Sequence, residues 1–149
     1  MEKAEERISK KEYKVVSQSL FELISECDVL PEGVVLKYQA LVEEKCICLF
    51  TLPGAKYLEK HIDGSFVAQL GFQLVYKAKA AGNGQMLDVQ VKLDDICDWL
   101  EESEAPLLTD NRTIREIVMD STPYVTDKDE SGYVEYIRTG ILKYEKETE

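Results

Sequence analysis

The chain has 149 residues, 44% apolar and 32% charged, which suits one domain with a single core and excludes a disordered polymer. Its formal charge of −11 argues against nucleic-acid binding, because affinity for phosphates comes mainly from clustered Lys and Arg. No apolar run approaches the length of a bilayer span, and the start Met1–Arg7 has no apolar signal segment behind it, so an intracellular protein is expected.

Ser9-Lys10-Lys11-Glu12 is a capping-box pattern, with Ser9 accepting from the backbone and Glu12 reaching back. Val16, Leu20, Leu23, Ile24 and Cys27 then recur at helical spacing, predicting an amphipathic helix from Ser9 to about Cys27 that ends at the Pro31-Glu32-Gly33 turn. Two β-rich runs, Val34–Val42 and Cys46–Leu52, flank Glu43-Glu44-Lys45 and read as a hairpin. The second is apolar on both faces and therefore central in its sheet. It holds Cys46 and Cys48, one residue apart and so on one face of a strand. With Cys27 and Cys97 they lack the paired C-x(2–4)-C spacing of zinc sites and read as buried free thiols.

Lys56–Ile62 leads into Asp63-Gly64, a hairpin-turn dipeptide. Beyond it Phe66, Ala68, Leu70, Phe72, Leu74, Tyr76 and Ala78 alternate without a break, giving a long strand with one apolar face and a bend or bulge expected at Gly71. Burying that face is worth on the order of 10 kcal/mol gross, provided a helix or second sheet covers it. Ala81-Gly82-Asn83-Gly84 reads as a flexible loop. After it Val89, Leu93, Ile96, Cys97 and Leu100 form a helical stripe, with Trp99 at its edge. Asp88, Asp94, Asp95, Asp98, Glu101 and Glu102 occupy the remainder of that helix and read as solvent-facing. Ala105-Pro106 ends it. Thr113–Met119 and Tyr133–Tyr144 read as strands, the latter with Val134, Tyr136, Leu142 and Tyr144 on one side, and Thr122–Gly132 reads as a polar loop.

The expectation is a single α+β domain over 1–149: an antiparallel sheet covered by two amphipathic helices, in the order α-β-β-β-β-α-β-β. Ends of about 1–8 and 145–149 are expected to fray.

Catalytic chemistry is not advertised. The one histidine, His61, falls in an alternating strand run; no serine sits in a Gly-x-Ser-x-Gly elbow, and no Gly-rich loop carries a phosphate-binding lysine. Asp127-x-Asp129-Glu130 matches only part of a calcium loop. The reading is therefore a non-enzyme without cofactor or metal. Its acids concentrate in Asp88–Glu104 and in the last thirty residues, as a solvated face, a surface that repels DNA, or one that docks a basic partner.

Several segments in fixed order carry a resemblance. They are Tyr57-Leu58-Glu59-Lys60-His61-Ile62-Asp63-Gly64-Ser65-Phe66 with the strand to Lys77, a Leu-x-x-Ile-x-x-Trp-Leu-Glu helix at Leu93–Glu101, Leu-Thr-Asp at Leu108–Asp110, Thr-Pro-Tyr at Thr122–Tyr124, and Asp-Glu-Ser-Gly at Asp129–Gly132. Together, over roughly Leu20 to Lys143, they resemble the tail-terminator proteins, often called minor capsid proteins, of siphophages and of prophages in low-GC Gram-positive bacteria. Members of that family often have Tyr at the position of Phe66 and Pro at that of Gly71, departures that concern local strand geometry.

The resemblance implies a virion protein made in the bacterial cytoplasm and located at the head–tail junction. It implies a homo-hexameric ring on the tail tube, contacting the tail-tube protein and head connector proteins, with DNA only as passing cargo and no membrane partner. Asp94, Asp95 and Asp98 are then candidate channel-facing acids. Lys56, Tyr57, Glu59, His61, Asp63 and Gly64 of the hairpin, with Asp127, Asp129 and Glu130 of the late loop, are candidate contacts. Two other readings stay open: a different connector, such as a completion or stopper protein, and an acidic inhibitor or immunity-type module that binds a basic enzyme.

Overall fold

Ser9 starts the first helix, accepting a hydrogen bond from the Glu12 backbone N–H at 3.0 Å, and α1 runs Lys10–Ser25. The computed structural model describes residues 6–28, 30, 34–39, 46–79, 83–102, 111–120, 124–126, 130 and 132–147. After α1 come β1 (Val35–Tyr38), β2 (Cys46–Thr51), β3 (Lys56–Lys60), β4 (Phe66–Lys79), α2 (Asn83–Glu102), β5 (Arg112–Met119), β6 (Tyr124–Val125) and β7 (Tyr133–Lys146). The class is α+β, and the described residues form a seven-stranded mixed sheet and two helices.

The axis of the sheet is the antiparallel pair β4–β7, in unbroken register from Phe66↔Lys146 to Lys79↔Tyr133. Each long strand is flanked on its outer side by two shorter ones. β3 and β2 line successive parts of β4, while β5 and β6 line successive parts of β7. Gly71 sits in this register without a bulge, and its bare backbone is packed by Leu52, whose Cδ1 would lie 3.5 Å from an added Cβ. The register shifts fall at Tyr57/Glu59 and Ile114/Glu116 instead.

Several expectations are corrected. β1 and β2 do not form a hairpin: they pair in parallel, Val35 beside Cys46, so the sheet is not wholly antiparallel. Gln39, at φ 58°, turns the chain out of β1. Its side-chain Oε1 accepts from the Thr51 N–H at 2.7 Å, taking a place in the ladder that a hairpin partner would fill. The loop read over Thr122–Gly132 contains β6, which adds a strand to the order, because Tyr124 and Val125 find partners in Ile137 and Tyr136. Asn83 and Gly84 belong to α2 rather than to a loop. Near the ends of the described chain, Arg7 bridges Lys56, Ile8 is buried, its N–H donating to the Ala55 carbonyl, and β7 pairs as far as Lys146.

Both helices cover one face of the sheet. From α1, Val16, Leu20 and Ile24 join one cluster with Leu93, Ile96, Cys97 and Leu100 of α2, and with the alternating residues Ala68, Leu70, Phe72, Leu74 and Tyr76 of β4. Val134, Tyr136, Leu142 and Tyr144 of β7 share that face, as the period-2 pattern requires. All four cysteines are free and buried, and burial pushes the Cys97 thiol up to about 12. Gly140 sits between Phe72 and Met119 in this layer. A Cβ there would lie 2.5 Å from the Met119 sulfur and 2.7 Å from the Phe72 ring, so only glycine lets those side chains close over β7.

A buried ion pair fixes α1 to the far side of the sheet. Glu12 does not complete the capping box; its carboxylate receives the Arg112 guanidinium through Nε at 2.7 Å and through Nη2, and the Tyr144 hydroxyl at 2.8 Å. Glu12 and Arg112 are 7% and 4% exposed. Such a pair contributes little net stability against an apolar replacement, yet breaking it leaves an uncompensated charge inside. Burial alone would raise the Glu12 carboxyl, but the hydrogen bonds from Arg112 and Tyr144 outweigh it and hold the group below its ordinary value of 4.5.

Two outcomes follow for denaturant titrations. Arg112→Met destabilises the domain by about 3–5 kcal/mol, and adding Glu12→Leu to it recovers part of the loss. Because its folded value is depressed, the Glu12 contribution is complete above pH about 4.5 and lost as pH falls through that lower value, and Glu12→Gln flattens this part of the pH–stability curve. At the second close contact, Gly140→Val costs about 1–3 kcal/mol by overpacking.

Candidate functional site

The turn between β3 and β4 is built by Asp63-Gly64-Ser65. His61 and Ser65 close it backbone to backbone at 3.0 Å, the Gly64 N–H donates to the His61 carbonyl at 3.1 Å, and Gly64 takes φ 94°, a conformation that excludes most side chains. The Asp63 carboxylate accepts from both the Ser65 N–H at 3.0 Å and the Ser65 hydroxyl at 2.7 Å. Those two bonds hold its carboxyl below the usual range. His61 Nδ1 lies 2.8 Å from the same Ser65 oxygen, and its Nε2 is 3.5 Å from Glu59.

Acid, histidine and serine thus meet here, but in the wrong order for nucleophilic catalysis. The Ser65 proton is committed to Asp63, so the imidazole donates to the serine oxygen instead of removing its proton. The chemistry of this cluster is that of a rigid turn. What the turn presents is Ile62, whose side chain stands fully in solvent at 109% relative exposure, between the exposed acids Glu59 and Asp63. Behind the tip the hairpin is anchored. Tyr57 packs edge-on against Phe66 at 5.0 Å and Lys60 lies over the Tyr57 ring while pairing with Glu6.

Of the other candidate contacts, Lys56 is half-buried in the bridge to Arg7, and Glu130 is exposed. Asp127 and Asp129 lie outside the described residues. The three helix acids do not form one set. Asp95 and Asp98 are exposed, as a solvent face requires. Asp94 instead accepts from Arg138 Nη1 at 2.5 Å; Arg138, 8% exposed, also reaches Asp120 through Nε at 3.1 Å. Asp94 therefore joins α2 to β7. Glu101 is engaged as well, accepting from the Met119 N–H at 2.9 Å on β5.

Two features escaped the sequence reading. Ile62 was legible as an apolar residue in a turn position that polar residues usually fill. The cationic side of α1 was not legible, because the first fourteen residues are nearly balanced in charge. Once Glu12 is consumed by Arg112 inside the protein, Lys10, Lys11 and Lys14 stand exposed on one side of the helix. Among the described residues no group of three or more His, Cys, Asp or Glu is placed to hold a metal ion, and no described helix is long and apolar enough to cross a membrane. No protein-family model matches the chain, and no curated protein matches it.

The turn depends on its glycine. Gly64→Ala is expected to cost about 1–2 kcal/mol from the positive φ, and amide exchange should quicken at His61 and Ser65 while the β4–β7 amides keep their protection.

Proposed function

We propose that the chain is a structural subunit of a tailed-phage particle, a tail terminator that caps the tail tube and joins it to the head as a ring through which DNA passes. The observation that carries this reading is the Tyr57–Phe66 segment. It is the first of the ordered motifs that resemble that family, and it forms an anchored hairpin that thrusts a bare Ile62 into solvent. A turn stiffened by four polar side chains around one exposed apolar residue suits protein contact better than chemistry.

The second support is electrostatic. The Leu93–Glu101 motif lies on α2, whose exposed Asp95 and Asp98 add to a net charge of −11. A passage wall of that sign repels phosphates and lets DNA slide without sticking. Asp94 contributes little to such a wall, because Arg138 holds it.

Electron microscopy of purified virions with this subunit labelled is the direct test. The label is expected at the head–tail junction; a label elsewhere on the particle, or its absence from virions, rejects the reading. An isolated chain that stays monomeric and binds one basic enzyme tightly would make it an inhibitor-type module instead. Within virions, Asp95→Lys with Asp98→Lys is expected to slow DNA ejection, with Asp94 left intact so that the fold is not disturbed.

A further inference from the structure

A groove of about 360 Å³ runs along α1 beside β1, lined by Tyr13, Lys14, Gln18, Phe21 and Tyr38. Its aromatic walls are set in place. The Tyr13 hydroxyl donates to Thr51 Oγ1 at 2.9 Å, the Tyr38 hydroxyl meets the same oxygen at 2.8 Å, and Phe21 stands edge-on to Tyr38 at 6.0 Å. With both hydroxyls tied to one threonine, the rings have little freedom left to lose when the groove is filled. Lys14 forms part of the lining, and Lys10 and Lys11 continue the positive charge toward the helix start, while Glu22 lies beyond Gln18 at the other end.

The hairpin tip is complementary to this groove in shape and charge. Ile62 is an exposed apolar knob, and Glu59 and Asp63 beside it are exposed acids. Within one chain the two cannot meet. The turn precedes Phe66 at one end of β4, whereas Tyr38 lies level with Leu74 through Leu49. Eight residues of strand separate those levels, roughly 26 Å at 3.3 Å per residue. A knob and a socket at separate places on one subunit make a heterologous contact, which propagates head to tail from copy to copy.

We infer that the β3–β4 turn of one copy docks in the α1–β1 groove of the next, Ile62 against Tyr13, Phe21 and Tyr38, with Glu59 and Asp63 facing Lys10, Lys11 and Lys14. The inference deepens the self-assembly part of the proposed function and rests on it. It also explains why a chain of charge −11 tolerates contact with its own kind: the contact joins the acids of the turn to the exposed lysines of α1.

Cysteine cross-linking tests this, since the four native thiols are buried and do not compete. The full chain carrying Ile62→Cys and Gln18→Cys, oxidised at millimolar concentration and in virions, is expected to give a ladder of covalent oligomers. Each single variant alone, whose thiols meet only by collision, should cross-link much more slowly than the double variant, and the two mixed should give dimers at the faster rate. Ile62→Asp is expected to weaken self-association about tenfold or more. Lys14→Glu should weaken it too, and Lys14→Glu with Glu59→Lys should restore it. Cross-linking of Ile62→Cys alone as fast as that of the double variant, or no ladder under either condition, overturns the inference. A label at the head–tail junction without the ladder rejects this contact and leaves the terminator reading intact; a ladder from a protein absent from virions does the reverse.

Discussion

The pairing of β4 with β7 is the constraint on which the other elements depend. Fourteen residues of each strand stay in register without a bulge, so the inward row of β4 and the inward row of β7 form one apolar surface. That length gives each strand room for two short neighbours, and it carries the turn at Ile62 to one end of the sheet, away from the groove beside β1. In the inward row of β7 one side chain is missing, between Phe72 of β4 and Met119 of β5. Gly140 provides that gap, and Phe72 and Met119 fill it.

Polar contacts then decide how the helices sit on this surface. Apolar stripes alone would let α1 and α2 slide or rotate by a turn at small cost. The Glu12–Arg112–Tyr144 cluster fixes α1 at one end, and Asp94–Arg138–Asp120 fixes α2 over β7. Both clusters use an arginine from a strand and an acid from a helix, and both are shielded enough that an incorrectly seated helix would strand a charge. Their contribution is to position more than to net stability. By the same arrangement the buried Glu12 leaves the lysines of α1 as surface charge, and the groove gains its positive rim.

The surface that results is divided. The turn beyond β3 combines an apolar tip with acids, α2 shows Asp95 and Asp98 together with Lys92 and the exposed Leu87 and Val91, and α1 shows lysines around aromatic walls. In the turn the Ser65 proton goes to Asp63, and all four cysteines are buried.

Much of the fold was legible in the residues. Alternation from Phe66 to Ala78 and from Tyr133 to Tyr144 marked the two long strands, because burial on one face of a pleat leaves a period of two. Ser9 marked the start of α1, the Val89–Leu100 stripe marked the buried side of α2, and Asp63-Gly64 marked its turn, because caps, stripes and turns are local. Direction and partnership were not local. β1 lies parallel to β2, a direction that no local pattern in the two runs signals, and β6 existed only because β7 offered it partners. The roles of Glu12 and Asp94 were settled by arginines 100 and 44 residues away. Composition and period report which face of an element is apolar, whereas only the assembled sheet decides which charge is spent inside and which is left to meet another molecule.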